Sequence, residues 1–172
     1  MLEMFYPQRY EVSAYVIPYD HYHAQGIRGV IFDVDNTLVP HDAPADGQAR
    51  ELFRHLHEMG METCLLSNNK EPRVKAFAED VGSAYIYKAG KPGTAGYGKA
   101  MERMGTDRGS TLFVGDQLFT DVYGANRAGI LSILVKPINP KEEIQIVLKR
   151  YLEKPVLYFY KKHARDINQD RE

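Results

Sequence analysis

Two carboxylates one residue apart, Asp33 and Asp35, follow the run Gly29-Val30-Ile31-Phe32 and precede an amide and a hydroxyl, Asn36 and Thr37. The apolar run reads as a fully buried strand. Continued as a strand, it would point both carboxylates to one face, where like charges repel. That conflict is relieved if the strand ends at Asp33 and both carboxylates reach a site at its C-terminal edge. There Asp33 could serve as nucleophile and metal ligand while Asp35 moves protons. The same residue types also suit a plain turn or helix cap, so the pair gains its weight from polar residues further along.

Those residues are Ser67-Asn68, Lys91-Pro92 and Gly115-Asp116 with Asp121. The elements around them explain their placement. Thr63–Leu66 reads as a second buried strand ending at Ser67, Ala84–Tyr87 as a third, Thr111–Val114 as a fourth ending at Gly115-Asp116, and Ser132–Val135 as a fifth. Between them, apolar residues recur at helical spacing: Ala49, Leu52, Phe53, Leu56; then Val74, Phe77, Ala78, Val81; then Tyr97, Ala100, Met104. Pro72 sits early in one such helix, and Gly60 and Gly82 stand as stops. Strands alternating with helices predict an α/β fold on a parallel sheet of five strands. Such sheets bind ligands outside the carboxyl ends of their strands, which is where Asp33, Ser67 and Asp116 fall.

Composition narrows the field. The chain has 172 residues, 44% of them hydrophobic, enough for one core, and 22 basic against 23 acidic residues, so its total charge calls for no specific nucleic-acid binding. The single cysteine, Cys64, excludes an intramolecular disulfide and a CxxC metal site. With neither a signal-peptide pattern nor a membrane-spanning run in the sequence, a cytoplasmic protein is expected.

In their order, Asp33-Val34-Asp35-Asn36-Thr37, Ser67-Asn68, Lys91-Pro92 and Gly115-Asp116 with Asp121 resemble the four motifs of the haloacid dehalogenase superfamily of aspartate-dependent phosphohydrolases. The likeness covers residues 28–136. In detail it is similar to the YqeG-type branch of subclass IIIA, related to phosphatidylglycerophosphate phosphatases of mitochondria and plastids. It implies a Rossmann-like three-layer core and Mg²⁺ as cofactor. It also implies a metal site of Asp33, Asp116 and the Asp35 backbone carbonyl, with Asp121 and Thr37 as supporting residues. Asp33 would form an aspartyl-phosphate, and Asp35 would protonate the leaving oxygen and then activate water. Ser67 and Asn68 would bind the phosphoryl oxygens, with a helix cap as the other reading of Ser67. Lys91 would bring a fixed positive charge; Lys88 competes for that role, and Lys91-Pro92 fits the family pattern better. The second acid, Asp35, separates phosphatases from dehalogenases, which lack it.

Only 29 residues separate Thr37 from Ser67, room for a helix and a strand and no cap domain. An open site suits a bulky phosphorylated substrate such as a lipid head group, unless homo-oligomerisation covers it. The chain is read as an N-terminal extension (1–25) packing on the core, a catalytic core (26–140) and a C-terminal amphipathic helical segment (141–172). In the last, Ile144, Val147, Leu148, Tyr151 and Leu152 form the apolar stripe. The aromatic run after Pro155 lies beside Lys149, Arg150, Lys154, Lys161, Lys162 and Arg165 and suits a peripheral membrane contact. A terminal helix packed on the core is the plainer reading. The expected activity is that of a Mg²⁺-dependent phosphomonoesterase. The alternative is a regulatory or partner-binding module of the same fold, ribosome- or GTPase-associated, with weak phosphatase activity.

Overall fold

The computed structural model describes residues 2–139 and 144–169, with the side chains of residues 151–163 only in the last helix. A parallel sheet of six strands forms its centre. In chain order these are β1 (Arg9–Glu11), β2 (Gly29–Phe32), β3 (Glu62–Leu66), β4 (Ala84–Ile86), β5 (Thr111–Gly115) and β6 (Leu131–Val135). Their spatial order is β1-β6-β5-β2-β3-β4. Every residue of β2 and β5 is buried. These strands are covered on both faces, which is why they read as continuous apolar runs rather than alternating ones.

The helices α1 (Tyr19–Ala24), α2 (Gly47–Glu58) and α3 (Glu71–Val81) cover one face, where Phe32, Leu65 and Val114 meet Tyr19, Phe53 and Phe77. The helices α4 (Ala95–Met104) and α5 (Tyr123–Ala128) cover the other, packing Tyr97, Ala100 and Ala125 on Ile31, Cys64 and Phe113. Local chemistry fixes the helix ends. Asp46 caps α2 by accepting from the Ala49 amide at 2.8 Å, and Gly82 ends α3 in the left-handed region at φ 68°. Burial pushes the Cys64 thiol up to about 12, which leaves it a small inert hydrophobe. No domain is inserted between β2 and α2 or between β4 and α4 among the described residues.

The chain runs from β2 outward through β3 to β4, then returns to the far side of β2 for β5 and β6. Strand order therefore reverses between β2 and β5, and the crevice at their carboxyl ends is the expected binding position. Asp33 stands at its mouth, its amide donating to the Val114 carbonyl at 2.9 Å.

One expectation needs correction. The sheet has a sixth strand: residues 9–11, read as part of an irregular extension, pair with β6 in the register Arg9↔Ile133 to Glu11↔Val135. Three edge residues are too few to show a period in sequence. The C-terminal segment runs through Pro155 as one helix, α6 (Ile144–Gln169). Pro155 lies on its exposed side. The expected boundary at 140/141 and the side chains of Ile144, Val147, Leu148, Lys149, Arg150 and Arg165 lie outside the described residues.

The N-terminal segment and α6 together close one side of the sheet. Val156 joins Leu118, Val122 and Leu134 in a small cluster against Phe5 and Tyr10. The segment is docked by polar bonds as well. Gln8 Oε1 accepts from the Ser132 amide at 2.6 Å and its hydroxyl at 2.8 Å, and Asn126 Nδ2 donates to the carbonyls of Met4 and Tyr6. Gln8→Ala leaves the Ser132 amide without its acceptor. It is expected to cost about 1–2 kcal/mol, read as a lower urea midpoint with an unchanged slope.

Candidate active site

Lys91 is the hub of the crevice. Its ammonium donates to Asp33 Oδ1 at 2.6 Å and to Asp121 Oδ1 at 2.7 Å, with side chains 4%, 9% and 1% exposed respectively. Burial alone would strip a lysine of its proton, but the two carboxylates hold it firmly protonated. Asp33 feels the opposite balance: burial and the neighbouring Asp121 and Asp35 charges push its carboxyl above the usual range, against the pull of Lys91. Asp116, from the end of β5, completes a buried group whose carboxylate oxygens lie within 4.8 Å of one another across Asp33, Asp116 and Asp121. The Thr37 hydroxyl lies 3.1 Å from Asp116 Oδ1 and 3.4 Å from Asp33 Oδ2, tying the end of β2 to that of β5.

Local sequence places each of these groups. A π-helical turn at Leu118–Val122 swings Asp121 back, so that its Oδ2 accepts from the Gln117 amide at 3.0 Å. Gly115 lets it in: a Cβ there would stand 2.5 Å from Asp121 Oδ2 and 2.7 Å from the Phe113 ring. From below, Glu153 of α6 accepts from the Leu118 amide at 3.0 Å. Asn68 anchors the other loop, receiving the Lys91 amide at 2.8 Å and donating to the Lys91 carbonyl at 3.1 Å. Its side chain thus engages the Lys91 backbone while lining the cavity.

The Asp35 carboxylate stands apart from this cluster. Its Oδ1 accepts from Arg73 Nη2 and the Asp42 amide, both at 2.9 Å, and its Oδ2 from Asn69 Nδ2 at 3.3 Å. Although burial opposes it, these donors hold the carboxyl below the usual range. Ser67 is buried at the end of β3, its Oγ accepting from the Asn69 amide at 3.1 Å; the helix that follows is capped at Lys70, so Ser67 is not its cap. An open cavity of about 170 Å³ lies over Asp33, Asp35, Ser67, Asn68 and Lys91, rimmed by His41, Gln117 and Thr120. Lys88, three residues from Lys91, does not line it. Sequence reasoning missed Arg73, Asn69, His41 and Gln117. Arg73 and Asp35 are 38 residues apart, and nothing in a lysine- and arginine-bearing helix marks which cation turns inward.

The pattern of the family described as haloacid dehalogenase-like hydrolase matches residues 40–129, half of the chain. A "probable phosphatase YqeG" of Bacillus subtilis is 35% identical over 159 residues, covering 91% of this chain and 92% of that protein. The chain belongs to the haloacid dehalogenase-like hydrolases, among their phosphatases. A chloroplastic/mitochondrial phosphatidylglycerophosphate phosphatase 1 of Arabidopsis thaliana is 29% identical over 152 residues, 76% of this chain and 43% of that protein. The fold is shared with the cobalt-bound deoxy-D-mannose-octulosonate 8-phosphate phosphatase of Haemophilus influenzae, at TM-score 0.50 and 15% identity, covering 66% of this chain and 80% of that one.

For a hydrolase of this family the acidic cluster has a direct electrostatic meaning. Three buried carboxyl groups converge beside one ammonium in a poorly solvated site. All the donor atoms are hard oxygens, the set a small divalent cation such as Mg²⁺ takes. The residues present fit that ion. Binding it is expected to stabilise the fold by about 2.7 kcal/mol at a hundredfold excess over its Kd. A thermal melt with and without Mg²⁺ checks this, and Asp116→Asn should flatten the Mg²⁺ dependence.

Proposed function

We propose that this hydrolase cleaves phosphomonoesters through an aspartyl-phosphate on Asp33, with Mg²⁺ as cofactor. The observation that carries the reading is the Asp33 carboxylate at the end of the central strand, bound by buried Lys91, with Asp116 and Asp121 beside it. An Asp33 oxygen attacks phosphorus, and the alcohol oxygen leaves with a proton from Asp35. Asp35 then takes a proton from water as that water attacks the aspartyl-phosphate, which releases phosphate and restores Asp33. Ser67 and the Lys91 ammonium offer donors to the phosphoryl oxygens. Mg²⁺, held by Asp33, Asp116 and the Asp35 carbonyl, would neutralise charge on the transferring group. Asp121 and Thr37 keep Lys91 and Asp116 in place.

The favoured substrate is a phosphatidylglycerophosphate-like lipid head group. Similarity to the Arabidopsis enzyme of that name supports it, as does a cavity left open by the lack of an inserted domain among the described residues. The face of α6 turned away from the core supports a membrane contact. Tyr151, Leu152, Tyr158 and Phe159 are exposed there, with the Lys154 ammonium 4.2 Å from the centre of the Tyr151 ring, whereas Glu153 and Val156 are buried on the opposite side. Aromatic residues with interleaved lysines suit the headgroup zone of an anionic bilayer. No helix among the described residues is long and apolar enough to cross a membrane. A cytoplasmic protein that meets the membrane peripherally fits these observations.

The test is phosphate release, with Mg²⁺ or chelator, from phosphatidylglycerophosphate in anionic vesicles, nucleotides, sugar phosphates and a phosphopeptide. Chelator-sensitive preference for the vesicle substrate is expected. Asp33→Asn should lose about 10³-fold or more in kcat, and Tyr158→Ser with Phe159→Ser should slow the vesicle reaction alone. Substantial turnover by Asp33→Asn would overturn the nucleophile assignment. Equal rates on all substrates would overturn the lipid assignment and favour a partner-binding role.

A further inference from the structure

Glu153 sits on the core side of α6 and is only 6% exposed. A glutamate is rarely buried so deeply, because its carboxylate loses water that an apolar residue of the same length never held. An apolar side chain at this position would pack beside Val156 against Leu118, Val122 and Leu134. What glutamate adds is an acceptor, and Glu153 Oε1 receives the Leu118 amide at 3.0 Å in a buried bond. No residue of α6 lines the cavity over Asp33, so this group reaches the site only through the backbone it holds.

The place of that amide gives the bond its meaning. Leu118 opens the π-helical turn, and the first amides of a helical turn find no carbonyl within it. The side chain of Gln117, which precedes the turn, does not cap it. Two carboxylates meet the amides at its mouth instead: Asp121 Oδ2 takes that of Gln117, and Glu153 takes that of Leu118. The Gln117 carbonyl in turn accepts from the Asp121 and Val122 amides at 2.9 and 3.2 Å. Asp121 is thereby fixed with its other oxygen on Lys91, which holds Asp33. One run of short bonds joins α6 to the nucleophile, and Glu153 is the link that the turn cannot supply from its own residues.

We propose that Glu153 is a positioning residue for the phosphatase reaction: delivered from α6, it fixes the turn after β5 so that Asp121 keeps Lys91 against Asp33. Without the acceptor, the Leu118 amide is left unpaired away from water, the turn shifts to satisfy it, and Asp121 moves off Lys91. The loss falls on the chemical step, where Lys91 and Asp33 meet the transferring group. Most of the cavity is lined from the loops after β2 and β3, which the shift leaves in place. The inference rests on the site assigned above and adds to it a residue of a helix that gives the cavity none of its walls.

The test compares two substitutions of similar volume on a soluble substrate, para-nitrophenyl phosphate with Mg²⁺, well below each variant's Tm. Glu153→Met removes the acceptor, whereas Glu153→Gln keeps a carbonyl oxygen at the same reach. Glu153→Met should lose kcat by on the order of tenfold or more, since small misplacements of catalytic groups are costly. Its KM should stay within about twofold of the wild type. Glu153→Gln should recover most of the lost kcat. Gln8→Ala, which gives up a comparable buried bond far from the turn, should keep its kcat. Wild-type kcat in Glu153→Met overturns the proposal, and so does an equal loss in Glu153→Gln or in Gln8→Ala. Should Glu153→Met fail to fold, Glu153→Asp, which draws the acceptor back by one carbon, decides by the same loss of kcat. Asp33→Asn measured in parallel keeps the claims separate. Full turnover by that variant removes the site assignment, whereas an inactive Asp33→Asn beside a fully active Glu153→Met removes only the role of Glu153.

Discussion

A single buried ammonium holds together the groups on which this site depends. Lys91 bonds Asp33 and Asp121 at 2.6 and 2.7 Å in surroundings from which water is nearly excluded. Without it the ends of β2 and β5 would bring three carboxylates into one small volume and lose the cation that offsets their repulsion. With it, Asp33, Asp116 and Asp121 stand close enough together to offer a divalent cation a set of hard oxygen ligands. That convergence of acids on one cation at a strand edge sets the site apart from an ordinary buried ion pair.

The fold makes the arrangement possible by topology rather than by any one loop. Strand order reverses at β2 and β5, so two acidic strand ends meet at one crevice. The π-helical turn after β5 then redirects the chain so that Asp121 reaches Lys91, an approach that only glycine at position 115 permits. Behind that turn, Glu153 and Val156 of α6 support it. The helix with the exposed aromatic face is thus also the helix that braces the catalytic loop. Contact between α6 and another surface would bear on the site through one short, buried connection.

The legible parts of the sequence were those where a polar residue ended an apolar run. Asp33, Ser67 and Asp116 each close a strand buried on both faces, so their position at the sheet edge followed from hydrophobic pattern alone. Lys91 and Lys88 sit in one glycine-rich loop, and composition could not tell them apart; the structure does, by burying Lys91 against Asp33. Arg73 was illegible because its partner is distant in sequence and a helix of this length normally carries solvated cations. The edge strand Arg9–Glu11 was illegible because its stability comes from β6 and Gln8 rather than from its own pattern.

The central claim is that Asp33 carries the phosphoryl group. The most direct measurement is to quench steady-state turnover of a labelled phosphomonoester in acid, reduce the protein with borohydride and locate the modified residue by mass spectrometry. An aspartyl-phosphate is reduced to homoserine, so the account predicts that change at residue 33, dependent on substrate and on Mg²⁺. Modification of a different residue, or steady turnover with no reducible acyl phosphate ever trapped at residue 33, would contradict it.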